Sequence, residues 1–171
     1  LIVIKYQHRI EHLAVTDKLT GVYNRQIFDV SIAASHNDYI RYDKPYSVII
    51  ADVDNFKFIN DNYGHLAGDR MLCKTSEMIR SHIRESDTLF RWGGDEFLVV
   101  FGDTDMATAR MISERIRRLV AELPLPDGEG VVTTSIGVVA ATPDDTADRL
   151  FRRADAALYD AKLSQGKNQV V

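Results

Sequence analysis

The fold of this chain is decided by the segment Thr88-Leu89-Phe90-Arg91-Trp92-Gly93-Gly94-Asp95-Glu96-Phe97-Leu98-Val99-Val100-Phe101. Residues 88–92 and 96–101 are rich in aromatic and β-branched side chains, which is typical of β-strands. Glycine readily adopts the positive φ angles of a two-residue type I′ turn, so we predict a hairpin that turns at Gly93 and Gly94. The chain should therefore contain antiparallel strands.

Helix and strand patterns alternate on both sides of this hairpin. Residues 48–51 are all apolar, which predicts that the strand 46–51 lies in the middle of its sheet. Periodicity and capping residues predict the other elements: helices at 24–38, 55–63, 66–84, 107–123 and 147–164, a strand at 130–141 and an edge strand at 169–171. We expect an α+β fold in which helices flank a central, mostly antiparallel sheet.

The size and charge of the chain narrow its function. Its 171 residues are expected to form one folded domain. The formal net charge of −4 argues against a nucleic-acid-binding module, because such modules usually carry a basic face. Cys73 has no other cysteine to pair with, which fits a reducing compartment such as the cytosol.

The first residues, Leu1 to Ile4, are apolar and lack a starting methionine, so we expect a longer protein with an upstream sensory or inner-membrane region. Residues 1–15 are predicted to form a stalk or linker helix, and residues 16–171 to form a cytoplasmic domain. Heptad spacing in the first segment fits a parallel two-helix stalk and equally a packed amphipathic helix; the apolar positions are Val3, Tyr6, Ile10 and Leu13.

The same segment contains His8-x-x-Glu11-His12, which matches a helix pattern of zinc proteases. This pattern is short and common by chance, and a catalytic zinc helix belongs in a folded core. We therefore interpret these residues as a solvated helix face.

Two carboxylates follow the central strand, and two others follow the glycine pair. Asp52 and Asp54 lie two positions apart at the end of a strand, which is a rigid support for ligands. Asp52 with Asp95 would suit a hard divalent cation such as Mg²⁺. Asp54 is interpreted as the N-cap of the next helix. Asp95 and Glu96 are adjacent on a strand, so we expect their side chains to diverge.

The residues after the central strand suit a nucleotide. The start of the predicted helix is a natural phosphate site, to which Lys57 adds a positive charge. Asn60 and Asp69 offer an amide and a carboxylate that can pair with the edge of a guanine. Gly64 and Gly68 are interpreted as marking a helix break and restart.

Five motifs follow one another along the chain: Asp17-x-Leu19-Thr20-Gly21-x-x-Asn24-Arg25, Asp52-x-Asp54-x-Phe56-Lys57-x-x-Asn60-Asp61-x-x-Gly64-His65-x-x-Gly68-Asp69, Gly93-Gly94-Asp95-Glu96-Phe97, Ser135-Ile136-Gly137-Val138 and Ala154-Asp155-x-Ala157-Leu158-Tyr159-x-Ala161-Lys162. Together they resemble the GGDEF family of diguanylate cyclases. The resemblance extends over residues 16–171, and several motifs in order are far more specific than any single one.

The resemblance implies a fold like the palm of nucleotide cyclases and polymerases. It also implies an enzyme that condenses two GTP molecules into cyclic di-GMP with release of pyrophosphate. By the same resemblance, Mg²⁺ or Mn²⁺ would be held by Asp52, the Val53 carbonyl and Asp95. Lys57 would act on the phosphates, and Asp95 or Glu96 would help to deprotonate the attacking hydroxyl.

The resemblance further implies a set of substrate-binding residues: Asn60, His65, Asp69, Phe56, Gly93, Gly94, Lys162 and Lys167. In this set, Asn60 and Asp69 would bind guanine, with His65 close by. Lys162 and Lys167 would reach phosphates, but the segment between them is one residue longer than is common in the family.

The implied product is two-fold symmetric and each domain has one nucleotide cradle, so catalysis is expected to need a homodimer. Arg84-x-x-Asp87 has the spacing from Gly93 that the family uses for product inhibition, with Arg115 as a second arm. An alternative is a non-catalytic module that binds cyclic di-GMP through Arg84 and Asp87. The intact acidic motif and Lys57 favour the enzyme, since a pure receptor does not need them.

Overall fold

The computed structural model describes residues 15–163 and 166–171. Its strands are β1 (Tyr23–Asn24), β2 (Ser47–Val53), β3 (Thr88–Arg91), β4 (Glu96–Phe101) and β5 (Thr134–Ala140). Its α-helices are α1 (Phe28–Tyr42), α2 (Phe56–Tyr63), α3 (His65–Arg80), α4 (Met106–Val120) and α5 (Ala147–Leu163).

The five strands form one sheet in the order β1-β3-β4-β2-β5. β1 runs parallel to β3, and the other neighbouring pairs are antiparallel. The C-terminal residues extend the sheet beyond β5, because the Ile136 backbone bonds to Gln169 at 2.8 Å and to Val171 at 2.9 Å. The predicted α+β class and mostly antiparallel sheet are confirmed.

Strand β2 lies in the middle of the sheet, and all seven of its residues are buried. Its side chains alternate between two apolar clusters. Ile49 and Ala51 pack with residues of α3 and α4, whereas Val48 and Ile50 pack with residues of α1 and α5. Because the alternation has a period of two, Asp52 belongs to the face that α5 covers.

Helix α5 approaches β5 closely at Gly137. A Cβ atom at this position would collide with the backbone of Ala154 and Leu158. The helix therefore needs glycine there to lie flat on the sheet, and this contact brings its last turn, with Lys162, over the end of β2.

The hairpin of β3 and β4 is confirmed, but the predicted type I′ turn is wrong. Neither Gly93 nor Gly94 has a positive φ angle. The N–H groups of Trp92 and Gly93 both donate to the Glu96 carbonyl, at 2.8 and 3.3 Å, so the connection is longer than two residues. The Asp95 carbonyl accepts a hydrogen bond from β2, and this contact with the neighbouring strand shapes the turn.

Helix α3 ends at Arg80 and not at Arg84, where the sequence predicts its end. The N–H of Ser81 bonds back to the carbonyls of Glu77 and Ile79, and this closes the last turn. Arg84 consequently lies in the connection between α3 and β3.

The stalk predicted for residues 1–15 falls almost entirely outside the described residues, as does the His8-x-x-Glu11-His12 pattern. The boundary between stalk and domain stays a prediction. Within the part of the chain that the structure describes, no helix combines the length and the apolar character that a bilayer span requires.

Candidate active site

Three carboxylates come together where β2 meets β4. Asp52 and Glu96 are cross-strand partners, so their side chains lie on the same face of the sheet. Asp95 precedes Glu96, and its carbonyl accepts a hydrogen bond from the Val53 N–H at 3.0 Å. The negative charges of Asp95 and Glu96 both act on Asp52. The structure thus places all three acids in one neighbourhood.

Asp52 is the buried member of this group, with 6% of its surface exposed. Burial raises its pKa to about 6, and the charges of Asp95 and Glu96 contribute to the rise. Lys162 opposes this effect, because its Nζ lies 2.7 Å from Asp52 Oδ2. Burial has the largest effect, so the pKa of Asp52 stays raised although Lys162 is its partner.

Glu96 is half-buried beside the glycines of the hairpin. Its pKa is raised, first by burial and then by the charge of Asp95. A Cβ atom at Gly93 would lie 2.6 Å from Glu96 Oε2, so the carboxylate lies against bare backbone. A Cβ at Gly94 would meet nothing within 4 Å, which leaves this backbone open to a ligand.

A cleft of about 320 Å³ opens beside the acids. It is lined by Asp52, Val53, Asp54, Asn55, Phe56, Lys57, Asp95, Lys162 and Lys167. Carboxylates and lysines thus border the same space. Such a combination suits an anionic ligand that carries a divalent cation, because each charge of the ligand then meets its opposite.

The donors at this cleft fit a cation that is shared with a ligand. Among the described residues, no group of three or more His, Cys, Asp or Glu side chains could hold a metal ion. Mg²⁺ commonly binds one or two carboxylates, phosphate oxygens and water, without a complete protein cage. Asp52 and Asp95 with the Val53 carbonyl match that partial set of hard oxygen donors.

The predicted N-cap role of Asp54 is wrong. Asn55 occupies the N-cap position of α2 and makes no capping bond through its side chain. The Asp54 carboxylate instead accepts bonds from Thr133 Oγ1 at 2.8 Å and Ser135 Oγ at 2.7 Å. It also accepts a bond from the Asn168 N–H at 3.1 Å. Asp54 therefore joins the end of β2 to β5 and to the C-terminal segment.

The candidate guanine-binding residues lie on two helices in contact. Asn60 is on α2, while His65 and Asp69 are about one turn apart on α3. Gly68 lies inside α3 and does not mark the helix break that the sequence predicts. A Cβ at Gly68 would collide with Asn60 Oδ1 and would lie 3.1 Å from Phe56 Cζ. Phe56, which lines the cleft, thus connects it to this helix pair.

Of the candidate inhibition residues, Arg84 and Asp87 lie in the connection after α3, and Arg115 lies on α4. Asp87 Oδ2 accepts a bond from the Arg84 N–H at 2.8 Å, which stabilises the turn. Burial raises the pKa of Asp87, against the effect of its contacts with Arg84. The exposed Arg84 borders clefts of about 640 and 480 Å³, which share no lining residue with the cleft at Asp52. Arg115 donates to the His82 carbonyl at 2.7 Å.

Arg91 is a candidate that the sequence did not single out. Its Nη1 lies 3.1 Å from Asp17 Oδ1, and its Nη2 donates to the Gly94 carbonyl at 2.8 Å. Asp17 in turn accepts bonds from the N–H and hydroxyl of Thr20. The first motif of the chain is thereby tied to the glycine turn. The only sequence signal was the occurrence of Asp17 in that motif.

Trp92 supports the same turn from the other side. It packs against Phe28 and Phe151, with ring centroids 4.8 and 4.6 Å away, and the Arg25 guanidinium lies 4.4 Å from its ring. An aromatic residue beside a turn does not reveal its partners, so the sequence contained no signal for this cluster.

The sequence of the chain matches a known family over most of its length. The family is described as "Diguanylate cyclase, GGDEF domain", and the match covers residues 14–169. Diguanylate cyclase DgcM of Escherichia coli (strain K12) is 37% identical over 98% of the chain, and response regulator PleD of Caulobacter vibrioides is 40% identical over 96%. The chain spans only 40% and 37% of the length of these relatives.

Two solved structures superpose closely on this chain. The coiled coil and GGDEF domain of DgcB from Caulobacter crescentus, in complex with c-di-GMP, superpose with a TM-score of 0.92 at 26% identity, over 99% of this chain and 91% of that one. Diguanylate cyclase SiaD of Pseudomonas aeruginosa, in complex with its activator SiaC, gives 0.87 at 33% identity, over 99% and 66%.

Proposed function

The chain belongs to the GGDEF domain family of diguanylate cyclases, and we propose that it condenses two GTP molecules into cyclic di-GMP and two pyrophosphates. The observation that carries this proposal is the cleft at the end of β2. There Asp52 and Asp95 line the same space as three lysines that can bind a triphosphate, and Glu96 lies opposite Asp52 on the neighbouring strand.

In the proposed reaction, the 3′-hydroxyl oxygen of one GTP bonds to the α-phosphorus of the other, and the bond to the β-phosphate oxygen breaks. A divalent cation, Mg²⁺ or Mn²⁺, held by Asp52, the Val53 carbonyl and Asp95 would lower the pKa of that hydroxyl and neutralise charge on the departing pyrophosphate.

Glu96 is suited to accept the proton of the hydroxyl, with Asp95 as the alternative. The raised pKa of Glu96, caused first by burial and then by the charge of Asp95, makes it a stronger base than an ordinary exposed glutamate. Its position against Gly93 restricts the carboxylate, so that little orientation has to be gained when the substrate binds.

Lys57, Lys162 and Lys167 would bind the phosphates, since all three line the cleft. Lys162 pairs with Asp52 in the metal-free chain, and a cation held by Asp52 would leave it available for a phosphate. Asn60 and Asp69 would bind the guanine edge, with Phe56 and the Gly93-Gly94 backbone beside the nucleotide and His65 nearby. One cradle per chain means that two chains must face each other to close the symmetric product.

The decisive experiment is incubation of the chain with GTP and Mg²⁺ or Mn²⁺, followed by chromatography of the nucleotides. Cyclic di-GMP should form, and Asp95→Ala should reduce the rate by at least about 100-fold, because a metal-binding and charge-bearing group is lost. Asp160→Ala, which removes an exposed carboxylate of α5, is the matched control. Unchanged turnover in Asp95→Ala would refute the role of this acid.

A second part of the proposal is feedback inhibition by cyclic di-GMP at Arg84 and Asp87, with Arg115 as a further arm. Two features support this placement. The Asp87 carboxylate stabilises the turn by accepting a bond from the Arg84 N–H. The side chain of the exposed Arg84 can form paired hydrogen bonds to phosphate or guanine. Calorimetry with cyclic di-GMP should show binding that Arg84→Ala weakens by about 10-fold or more. Equal affinity in that variant rules out this placement.

This titration and the incubation with GTP together separate the enzyme from a non-catalytic receptor. A receptor would bind cyclic di-GMP in the calorimeter and yet form none from GTP with either metal. Asp52 and Asp95 at the cleft argue against that outcome, since binding of a dianionic product does not require carboxylates.

A further inference from the structure

The segment that carries Lys167 has an uncommon backbone conformation. Gly166, Lys167 and Asn168 follow one another with φ angles of 82°, 66° and 49°. Five non-glycine residues of the described chain have positive φ, and Lys167 is the one that is neither Asn nor Asp. A lysine does not adopt this conformation by its own preference, so contacts elsewhere must hold it.

The contacts that hold this segment centre on Asn168. Its N–H lies 3.1 Å from both Asp54 Oδ2 and Ser135 Oγ. Its side-chain oxygen accepts a bond from Arg117 Nη1 at 2.9 Å. Arg117 is itself oriented by Glu114, whose Oε2 lies 2.9 Å from Arg117 Nε. The N–H of Asn168 is thus held by Asp54, which follows β2, and by Ser135 of β5, whereas its side chain is held by Arg117 of α4.

Asp54 is the buried end of this set of contacts. It is 4% exposed, and its two oxygens accept from the hydroxyls of Thr133 and Ser135 as well as from Asn168. A buried carboxylate with three donors is rigid, because breaking any one bond leaves charge poorly compensated. The second acid of the β2 motif is therefore used for structure, although it borders the cleft.

Lys167 projects from this rigid segment to the cleft. Its Nζ donates to Asn55 Oδ1 at 2.6 Å, and both residues line the space beside Asp52. Asn55 also has a positive φ, of 55°, so the two groups are presented by backbones in restricted conformations. The hydrogen bond to Asn55 thus directs the ammonium group to the cleft before a ligand binds.

We propose that Asp54, Asn168 and Arg117 are positioning residues that hold Lys167 ready for a phosphate of the nucleotide. The inference rests on the proposed function, because it assigns a nucleotide to the cleft. It adds a network that reaches from α4 to the site and gives Asp54 a role other than metal binding or helix capping.

The test uses the affinity for a GTP analogue with a non-reactive α,β-bridge, measured by calorimetry with Mg²⁺. Lys167→Met should weaken binding by about 10-fold, the effect of one charge-assisted contact. Arg117→Gln should weaken it by about 3-fold to 10-fold. Arg118→Gln removes the exposed neighbouring arginine of α4, which donates to a carbonyl of its own helix, and is the matched control.

A second pair of variants examines the backbone. Asn168→Gly keeps the positive φ and the N–H bond to Asp54, whereas Asn168→Ala keeps the N–H but disfavours the conformation. Affinity should therefore fall further in Asn168→Ala than in Asn168→Gly. Equal affinities in these two variants would overturn the part that the backbone plays in the proposal.

The final comparison combines the changes. In the Lys167→Met background, Arg117→Gln and Asn168→Ala should have almost no further effect on affinity, because they act through the missing ammonium. Full additivity would show that the network acts elsewhere and would overturn the proposal. A lower melting temperature with unchanged affinity in Arg117→Gln and Asn168→Ala would also overturn it, because these residues would then contribute only to stability.

These measurements do not depend on turnover. If the unmodified chain binds the analogue but forms no cyclic di-GMP, the proposed activity fails while the network is still tested. If it forms cyclic di-GMP but the variants bind normally, the network fails and the activity stands.

Discussion

Asp52 is charged in a place where the fold disfavours charge. Its carboxylate is buried and faces two other acids, and Lys162 is its single ion-pair partner in the described chain. Its pKa of about 6 in the folded chain exceeds the 3.8 expected without the fold. The folded state therefore binds the proton more tightly than the unfolded state, and stability falls as pH rises from about 4 through about 6.

We expect Asp52→Asn to stabilise the metal-free chain above pH 6. The gain should reach at most about 3 kcal/mol at pH 8 and be smaller at pH 5, because the shift of the pKa sets its ceiling. The amide oxygen can still accept from Lys162. Thermal unfolding at both pH values gives the measurement, with Asp160→Asn as an exposed control, and turnover should be lost.

A variant that is less stable than the unmodified chain at pH 8 would contradict this reading of Asp52. Stability gained at the expense of activity is the usual consequence of neutralising a functional acid. Burial and the charges of Asp95 and Glu96 disfavour the ionised Asp52, and a bound cation would stabilise it.

At the scale of elements, the glycine turn between β3 and β4 is held from three directions. β2 binds the Asp95 carbonyl, Arg91 binds the Gly94 carbonyl, and Trp92 packs against Phe28. These contacts restrict the backbone, which two adjacent glycines would otherwise leave flexible. A catalytic acid that follows such a turn depends on them for its position.

Arg91→Lys should keep an ion pair with Asp17 but lose the bond to Gly94, because an ammonium group lacks the planar fork of a guanidinium. We expect turnover to fall by about 10-fold or more, since small displacements of catalytic groups have large effects. The free energy of unfolding should fall by only about 1 kcal/mol, the typical value of one hydrogen bond. Steady-state kinetics and denaturant unfolding measure the two quantities.

Arg80→Lys is the matched control for this prediction. Arg80 also donates to a backbone carbonyl, that of Gly21, which is not part of the glycine turn. A loss of turnover in Arg80→Lys as large as in Arg91→Lys would show that the effect is not specific to the turn.

At the scale of the whole molecule, the part of the chain that the structure describes has one cleft that Asp52 and Asp95 line together, and this has a kinetic consequence. If two chains must meet to form the product, the initial rate should rise with the square of protein concentration below the dissociation constant of the dimer. A dilution series at saturating GTP, with sedimentation at the same concentrations, tests this. A rate that stays proportional to concentration while the chain sediments as a monomer would exclude the dimer requirement.

Most strands and helices could be predicted because they depend on the pattern of apolar and polar residues along the chain. The four apolar residues at 48–51 indicated a central strand, and β2 has a strand on each side. Helix boundaries were less predictable, as at Arg80, because the final turn depends on backbone bonds that periodicity does not report. The turn at Gly93 and Gly94 was predicted wrongly, since a bond from β2 competes with the local preference of glycine.

The site shows the same division. Asp52, Asp95 and Lys57 could be named from residue type and motif order, and all three line one cleft. The partners of Asp54 could not be named from the sequence, because Thr133 and Asn168 lie 79 and 114 residues further along the chain. Asparagine adopts positive φ more readily than most residues. The residue type of Asn168, however, does not reveal that Asp54 will hold it in this conformation.

The order of residues by itself determined the strands, the helices and the chemical types available for binding, because periodicity and side-chain chemistry are properties of neighbouring residues. Only the tertiary structure decided that Asp52 pairs with Lys162 and that Asp54 holds the segment of Lys167. Such pairings follow from the packing of α5 and the C-terminal segment on β5, which brings together groups that the sequence separates by more than a hundred residues.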